Sequence, residues 1–313
     1  MKPHDALRER LGRGETVVMD GGIGSELVKR GIRWRGHGMR TDAPAVQKLH
    51  EEYLDAGADV IRTNTFQLNR RIYLNVFRNV DHMRHIGAPG LERRASELTR
   101  KAVELARAAR DKSGRKEVAV AGVMSPLEHC FRPDLSPSDQ AAAKEHREIA
   151  DLLASAGADL LLLESMNTVR EAEIAAEAAA ATKLPVWASF VVDEKGQVLS
   201  GEPLADAVKA VRRHGVEAVL VNCAPPEDVA RAIASLDGAA GKTFGAYAHV
   251  GRFDPPSWKF EFFPQFTQTE SWTPDRYAQA AGGWRAKGAR ILGGCCGTSP
   301  AHTRALKQSV GRA

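Results

Sequence analysis

The sequence predicts an α/β fold of the (β/α)8 type, the TIM barrel, formed as a single domain over residues 1–313. Short apolar segments rich in β-branched residues recur eight times, and each ends in a polar or glycine cluster. Segments of helix length, amphipathic or rich in alanine, separate them. Eight strands alternating with helices are typical of a parallel barrel. The alternative, an open doubly wound sheet, usually has fewer strands and often a second domain.

The predicted elements follow one another along the whole chain. A charged helical segment at 6–11 precedes eight predicted strands, at 16–20, 60–65, 118–124, 160–164, 186–192, 218–223, 243–249 and 290–294. The main predicted helices lie between the strands, at 45–55, 92–110, 141–155, 170–181, 203–213, 227–236 and 274–286. Glycine stands at four junctions from helix to strand, namely Gly57, Gly157, Gly215 and Gly288. Because glycine readily takes the left-handed conformation that ends a helix, these junctions support the alternation.

Two long connections, 66–91 and 251–273, show little regular periodicity. The second holds seven of the nineteen aromatic residues: Phe253, Trp258, Phe260, Phe262, Phe263, Phe266 and Trp272. Long loops in a compact domain are often lids or binding loops. Aromatic side chains packed over the barrel mouth or at a subunit interface are the alternative interpretation.

Composition narrows the classes of function. The net charge of +5 comes from interspersed charges of both signs, with no basic cluster denser than short arginine pairs, so no nucleic-acid partner is expected. The chain begins with a charged segment, and no apolar run approaches the length of a membrane span. We therefore expect a cytoplasmic protein with no membrane partner, and a homo-oligomer is left open.

The cysteines give the sharpest chemical signal. Cys295 and Cys296 are adjacent and flanked by glycines, and the chain has only two further cysteines, Cys130 and Cys223, which argues against a disulfide framework. Thiolates favour zinc, and catalytic zinc sites commonly keep one position open. Because barrel active sites form where the strands end, Cys223 on the sixth strand and the pair on the eighth can converge on one ion. Cys130 lies in a loop, where a buried or incidental thiol is expected.

Three thiolates around a zinc ion leave one coordination position. An incoming thiol can occupy it as a thiolate, because the metal favours deprotonation, and the thiolate can then attack an electrophilic methyl carbon. His249, at the end of the seventh predicted strand, is a possible fourth ligand that would close the site. A closed site would make the zinc structural.

Other strand-end residues favour an amino acid as ligand. Asp20 and Glu164 can hold an ammonium group across the mouth, although a carboxylate at a strand end is also often a helix cap or a salt-bridge partner. The glycine-rich segment 20–25 offers backbone N–H groups at a helix start, which suit a carboxylate. These features predict a pocket for an amino acid with a thiol side chain.

Several motifs together carry a family resemblance. They are Asp-Gly-Gly-Ile-Gly-Ser-Glu-Leu at 20–27, Ala-Gly-Ala-Asp at 56–59 leading to Thr-Asn-Thr-Phe at 63–66, Leu-Glu-Ser-Met-Asn-Thr at 163–168, Val-Asn-Cys at 221–223 and Gly-Gly-Cys-Cys-Gly-Thr at 293–298. Through nearly its whole length the chain resembles the zinc-dependent homocysteine S-methyltransferases, which include betaine-, S-methylmethionine- and methylfolate-using members. Where that family often has Tyr-x-Asn-x-Gly, this chain has His249 in the place of asparagine.

The resemblance implies roles for the strand-end residues. The zinc ligands would be Cys223, Cys295 and Cys296. Asp20 and Glu164 would hold the amino group of homocysteine, and the backbone near Gly24 and Ser25 would receive its carboxylate. The reaction would be in-line transfer of a methyl group to the zinc-bound thiolate, which gives methionine.

The methyl donor is the less determined half of the reaction. A methylfolate or corrinoid donor usually implies further domains or a partner protein, so a small onium donor is favoured, S-methylmethionine or S-adenosylmethionine before betaine. Its expected contacts are Asn64, Phe66, Trp258 and Trp272, the aromatic rings acting by cation–π attraction. The alternatives are betaine or methylfolate as donor, another thiol as acceptor, a zinc-dependent lyase or aldolase, and a non-enzymatic zinc-stabilised binding or redox-sensing protein.

Overall fold

Eight parallel strands close into a barrel. The computed structural model describes residues 2–32, 38–71, 90–236, 243–254, 265–267 and 269–311. The barrel strands are β1 (Val17–Val18), β2 (Val60–Arg62), β3 (Ala119–Met124), β4 (Leu160–Met166), β5 (Val186–Val191), β6 (Ala218–Asn222), β7 (Phe244–Tyr247) and β10 (Ile291–Leu292). They pair in the order β1-β10-β7-β6-β5-β4-β3-β2. A parallel bridge between Met19 and Val60 joins the two edges, so the predicted barrel is confirmed.

Ten α-helices lie in the described part of the chain. They are α1 (Pro3–Gly12), α2 (Ile23–Lys29), α3 (Ala43–Asp55), α4 (Leu91–Ser113), α5 (Asp139–Ala156), α6 (Val169–Ala180), α7 (Leu204–Arg212), α8 (Pro226–Leu236), α9 (Pro274–Ala286) and α10 (Pro300–Gly311). Among these described helices, none combines the length and the apolar character needed to cross a bilayer.

The helix ends follow from local sequence. All four junction glycines have positive φ, with values from 78° at Gly215 to 98° at Gly288. A side chain would strain that conformation, which explains why glycine is found there. At the other end of two helices, the hydroxyl groups of Thr168 and Thr273 cap α6 and α9 by accepting bonds from backbone N–H groups.

Side chains alternate across the barrel wall. On β3, Ala119, Ala121 and Val123 belong to the cluster inside the barrel, whereas Val120, and Val118 just before the strand, pack outward against the helices. This two-residue period is that of a β-strand, and each strand is buried on both faces because helices surround the barrel. The interior is thus filled with side chains, and barrels of this kind bind their ligands at the carboxyl ends of the strands.

Some elements depart from the sequence-based expectation. The connection 251–273 contains an antiparallel hairpin, β8 (Arg252–Asp254) with β9 (Gln265–Thr267), where no regular structure was predicted. Helix α10 was also missed, because only three of its residues are buried and its apolar pattern is weak. Most of the first long connection, residues 72–89, and the segment with Trp258, Phe260, Phe262 and Phe263 lie outside the described residues.

Candidate metal centre

Three cysteines meet at the carboxyl ends of the barrel strands. Cys223 directly follows β6, and Cys295 and Cys296 follow β10. Their sulfur atoms all lie within 4.8 Å of one another. Cys223 and Cys295 are buried, and Cys296 is half-buried. The structure therefore brings together the three cysteines expected from the sequence.

Backbone geometry holds the cluster in place. Cys223 has φ of 50°, a left-handed conformation uncommon outside glycine, and its N–H donates to the carbonyl of Tyr247. The N–H of Cys295 donates to the carbonyl of Ala248 at 2.9 Å. Gly294 comes before this pair because a Cβ at that position would overlap the side chain of Thr298. The left-handed backbone of Cys223 and the absence of a side chain at Gly294 thus allow the three sulfur atoms to converge.

The thiols are electrostatically linked. Hydrogen bonds with the thiols of Cys223 and Cys296 hold the pKa of Cys295 well below its ordinary value. Hydrogen bonds with the thiols of Cys295 and Cys296 raise the pKa of Cys223 well above its ordinary value. Three converging thiols that favour a thiolate are a donor set suited to a soft divalent metal such as zinc.

His249 is not a member of this group of sulfur atoms, although its ring interacts with the backbone of Cys223. In the stretches that the structure describes, no imidazole or carboxylate joins the three sulfur atoms within the same distance. The ring is buried, which lowers the pKa of His249, and its backbone N–H donates to the carbonyl of Ala224 at 3.1 Å. Its role as a fourth ligand stays a prediction.

A buried arginine lies between the two expected carboxylates. Arg62, the last residue of β2, donates from Nε to Asp20 Oδ1 and from a terminal nitrogen to Glu164 Oε1, both at 2.6 Å. The backbone N–H of Arg62 also donates to Asp20 Oδ2, at 2.8 Å. Asp20 is fully buried, whereas Glu164 keeps 7% of its surface exposed. Asp20 is therefore held behind Arg62, and a direct contact from it to a ligand would require Arg62 to move.

Burial shifts the pKa values of Asp20, Glu164 and Arg62. It raises the pKa of both carboxyl groups, Asp20 and Glu164, while the Arg62 guanidinium opposes the rise. Although burial disfavours its charge, the two carboxylates hold the pKa of Arg62 well above its ordinary value. Arg62 also lies 4.9 Å from the centre of the Tyr247 ring, close enough for cation–π attraction. The guanidinium is thus a permanent positive charge in the barrel mouth.

The expected carboxylate site lies at the start of α2. Gly24 and Ser25 are in its first turn, and Ser25 Oγ accepts a bond from the N–H of Gly297, next to the cysteine pair. Two N–H groups of the glycine-rich segment are already used, because Asp20 donates to the carbonyl of Val60 at 3.0 Å and Gly22 donates to Thr298 Oγ1 at 3.1 Å. The expectation that this whole segment offers free N–H groups is wrong at Asp20 and Gly22.

The residues expected to bind a methyl donor are only partly brought to the cysteines. Phe66, just beyond β2, packs against the interior cluster that includes Cys223 and Cys295, and Phe131 packs against the same cluster. Asn64 is buried close to the end of β2. The Trp272 ring stacks on the Arg276 guanidinium at 4.2 Å. Trp258 lies outside the described residues.

Sequence reasoning missed Arg62 and Phe131. Arg62 was treated as part of a strand, although it stands two positions after the inward-facing Val60 and so shares its face. Phe131 gave no such signal because it lies in the loop after β3. Cys130 behaves as expected, since it is buried and burial raises its pKa.

The fold and the site together define a (β/α)8-barrel protein with three converging cysteines suited to a metal at the ends of its strands. The homocysteine S-methyltransferase family model matches residues 17–310, and the chain belongs to that family.

Several known proteins align with almost the whole chain. A homocysteine S-methyltransferase of Escherichia coli is 28% identical, with 98% of this chain and 99% of that protein covered. Betaine–homocysteine S-methyltransferase 1 of Danio rerio is 29% identical, with 96% of this chain and 74% of that protein covered. The crystal structure of the metallated form of the E. coli homocysteine methyltransferase MmuM superposes with a TM-score of 0.78 at 26% identity, covering 98% and 100% of the two chains.

Proposed function

We propose that the protein is a zinc-dependent methyltransferase that moves a methyl group from a small onium donor to the thiol of homocysteine and so forms methionine. The observation that carries this proposal is the convergence of Cys223, Cys295 and Cys296 beside the carboxylate of Glu164 in the barrel mouth. The names of the E. coli and D. rerio relatives, and the metallated state of the E. coli structure, support the reaction class and the use of a metal.

The three cysteines would hold the zinc ion. When bound, zinc would supply a coordination position that favours the acceptor's thiol as a thiolate. Backbone hydrogen bonds from Cys223 to Tyr247 and from Cys295 to Ala248 hold the cysteines in position. His249, close to Cys223, is proposed to ligate zinc only when the acceptor is absent.

The acceptor would be held by its two charged ends. Glu164 retains exposed surface and a second carboxylate oxygen, so it is suited to the ammonium group. Asp20 would contribute through Arg62, which it binds with both oxygens. The substrate carboxylate would lie near Gly24 and Ser25, at the positive end of α2.

Methyl transfer needs no general base once the thiol is ionised. The thiolate sulfur would form a bond to the methyl carbon while the bond from that carbon to the donor's positive sulfur or nitrogen breaks. The bonding electron pair leaves with the donor atom, which becomes neutral. The protein's part is to align the two reactants and to exclude water.

The half-buried rings of Phe66 and Phe131, in the loops that follow the neighbouring strands β2 and β3, support an onium donor, since aromatic faces attract such cations. Trp272 and Trp258 stay predicted contacts. S-methylmethionine and S-adenosylmethionine are the preferred donors, and betaine is the second candidate because a D. rerio relative is named for it. The cytoplasmic location stays a prediction.

A donor panel tests the proposal. Zinc-loaded protein is incubated with homocysteine and, separately, S-methylmethionine, S-adenosylmethionine, betaine, dimethylsulfonioacetate and methylfolate, and methionine is quantified. We expect turnover with at least one sulfonium donor. Failure of every donor would contradict homocysteine methylation, and turnover with betaine or methylfolate alone would contradict the sulfonium preference.

A further inference from the structure

Arg62 lies between the expected ammonium site and the expected metal ligands, and it contacts both regions. Its guanidinium contacts the carboxylates of Asp20 and Glu164. It also donates to the carbonyls of Gly21, at 2.6 Å, and Gly294, at 2.7 Å. Gly294 directly precedes the cysteine pair, so one side chain connects the acceptor's expected ammonium site with the expected metal ligands.

The two carboxylates are not equivalent. Both oxygens of Asp20 accept bonds from Arg62, and the residue has no exposed surface. Only Oε1 of Glu164 is bound by Arg62, and Glu164 is partly exposed. While the guanidinium stays in place, an ammonium group in the mouth can therefore reach Glu164 and not Asp20.

The charges agree with this division. Two carboxylates and one guanidinium sum to a single negative charge, which matches one ammonium. An ammonium placed between Asp20 and Glu164 would instead take the space of Arg62 and meet its like charge. The geometry thus separates a carboxylate that anchors the arginine from a carboxylate that binds the ligand.

We infer that Arg62 is a positioning and specificity-determining residue. It withholds Asp20 from the acceptor, orients Glu164 toward the acceptor's ammonium group, and ties that contact to the cysteine loop through the Gly294 carbonyl. The inference rests on the proposed function, because it takes the acceptor to be an aminothiol.

The substitution Arg62→Lys tests the arginine directly, because lysine keeps the charge but lacks the planar fork that binds several acceptors at once. Arg71→Lys is the matched control, since Arg71 also pairs with two glutamates, Glu128 and Glu145, and none of the three is expected to bind zinc or the acceptor. Two acceptors are compared: homocysteine, and 4-mercaptobutanoate, which has the thiol and the carboxylate but no amino group.

We expect Arg62→Lys to raise KM for homocysteine about tenfold and to change KM for 4-mercaptobutanoate by less than about threefold. Arg71→Lys should change neither. Arg62→Lys should also lose zinc to a competing chelator more readily than Arg71→Lys, a result that needs no turnover. Equal loss with both acceptors, or unchanged zinc retention, would overturn the inference.

Two further variants decide the matter if Arg62→Lys fails to fold. Glu164→Gln should raise KM for homocysteine about tenfold without a matching change for 4-mercaptobutanoate, and Asp20→Asn should have a smaller effect on that preference. An Asp20→Asn effect as large as that of Glu164→Gln would overturn the inference. If the wild-type protein methylates neither thiol, the proposed function is wrong, and the proposed contact between Glu164 and the ammonium group is then wrong as well.

Discussion

The hydroxyl group of Thr298 donates a hydrogen bond to the carbonyl of Cys295 at 2.6 Å, and the same oxygen accepts one from the N–H of Gly22. One buried side chain thereby joins the cysteine loop to the start of α2. Because these groups are buried, removal of the hydroxyl takes this partner from the Gly22 N–H and leaves the Cys295 carbonyl with its bond from the Thr298 N–H, at 3.1 Å.

We expect Thr298→Val, which keeps the shape but removes the hydroxyl, to lower the free energy of unfolding by about 2 kcal/mol. Urea denaturation measures this change. Thr303→Val is the matched control, because the buried Thr303 hydroxyl has no hydrogen-bond partner among the described residues, and its replacement should be neutral or stabilising. Equal destabilisation by the two substitutions would show that the Thr298 bonds contribute nothing specific.

Serine substitutions should separate the cysteine cluster from the remaining cysteine. We expect Cys223→Ser and Cys296→Ser each to weaken zinc retention about tenfold or more, since a thiolate ligand is replaced by a hydroxyl. Cys130→Ser, a buried thiol outside the cluster, should retain the wild-type zinc content. Elemental analysis after dialysis against a chelator checks this, and loss of zinc from Cys130→Ser would contradict the assignment of ligands.

Replacement of His249 tests how open the fourth position is. Because His249 stands outside the group of three sulfur atoms, His249→Asn should leave zinc content intact and change the affinity for homocysteine. Calorimetric titration of the zinc-loaded variant with homocysteine measures the affinity. Complete loss of metal would mean that His249 is a permanent ligand and that the site is closed.

Stability should fall in mild acid because of His50. This histidine is fully buried on α3, and neither ring nitrogen has a hydrogen-bond partner in the part of the chain that the structure describes. Burial lowers its pKa to about 4. Between this value and the ordinary pKa of 6.5, the unfolded chain binds a proton that the folded chain does not. The free energy of unfolding should therefore decrease by about 3 kcal/mol as the pH falls through that window.

His50→Leu removes the titrating group while keeping an apolar side chain of similar size. Urea denaturation at several pH values between 4 and 7 should show a weaker pH dependence in His50→Leu than in the wild-type protein. Identical slopes for the two proteins would contradict a neutral, buried His50.

Regular patterns made much of the fold predictable. Each barrel strand pairs with the two neighbours that the barrel predicts. Glycines such as Gly157 mark helix ends because the backbone there has a positive φ, a requirement set by the local sequence. The cysteines could be placed together because the strand ends of a barrel share one face, whatever the distance along the sequence. Helix α10 and the hairpin of β8 and β9 lacked such a signal.

The different roles proposed for Asp20 and Glu164 could not be derived from their positions in the sequence alone. Both stand at strand ends, and only the bonds of Arg62 distinguish the buried anchor from the partly exposed carboxylate. Side-chain partners across the barrel depend on packing between β1, β2 and β4, which sequence periodicity does not encode. An inward-facing arginine between two strand-end carboxylates is the pattern that would have indicated it.

Removal and return of zinc, followed by the rate of methionine formation from homocysteine and a sulfonium donor, tests the proposed role of the cysteine centre most directly. We expect chelation to abolish turnover while circular dichroism still shows the folded barrel, and added zinc to restore the rate. Turnover that persists without zinc would contradict catalysis at the cysteine centre. Unfolding of the barrel on zinc removal would contradict it as well, because the site would then be structural.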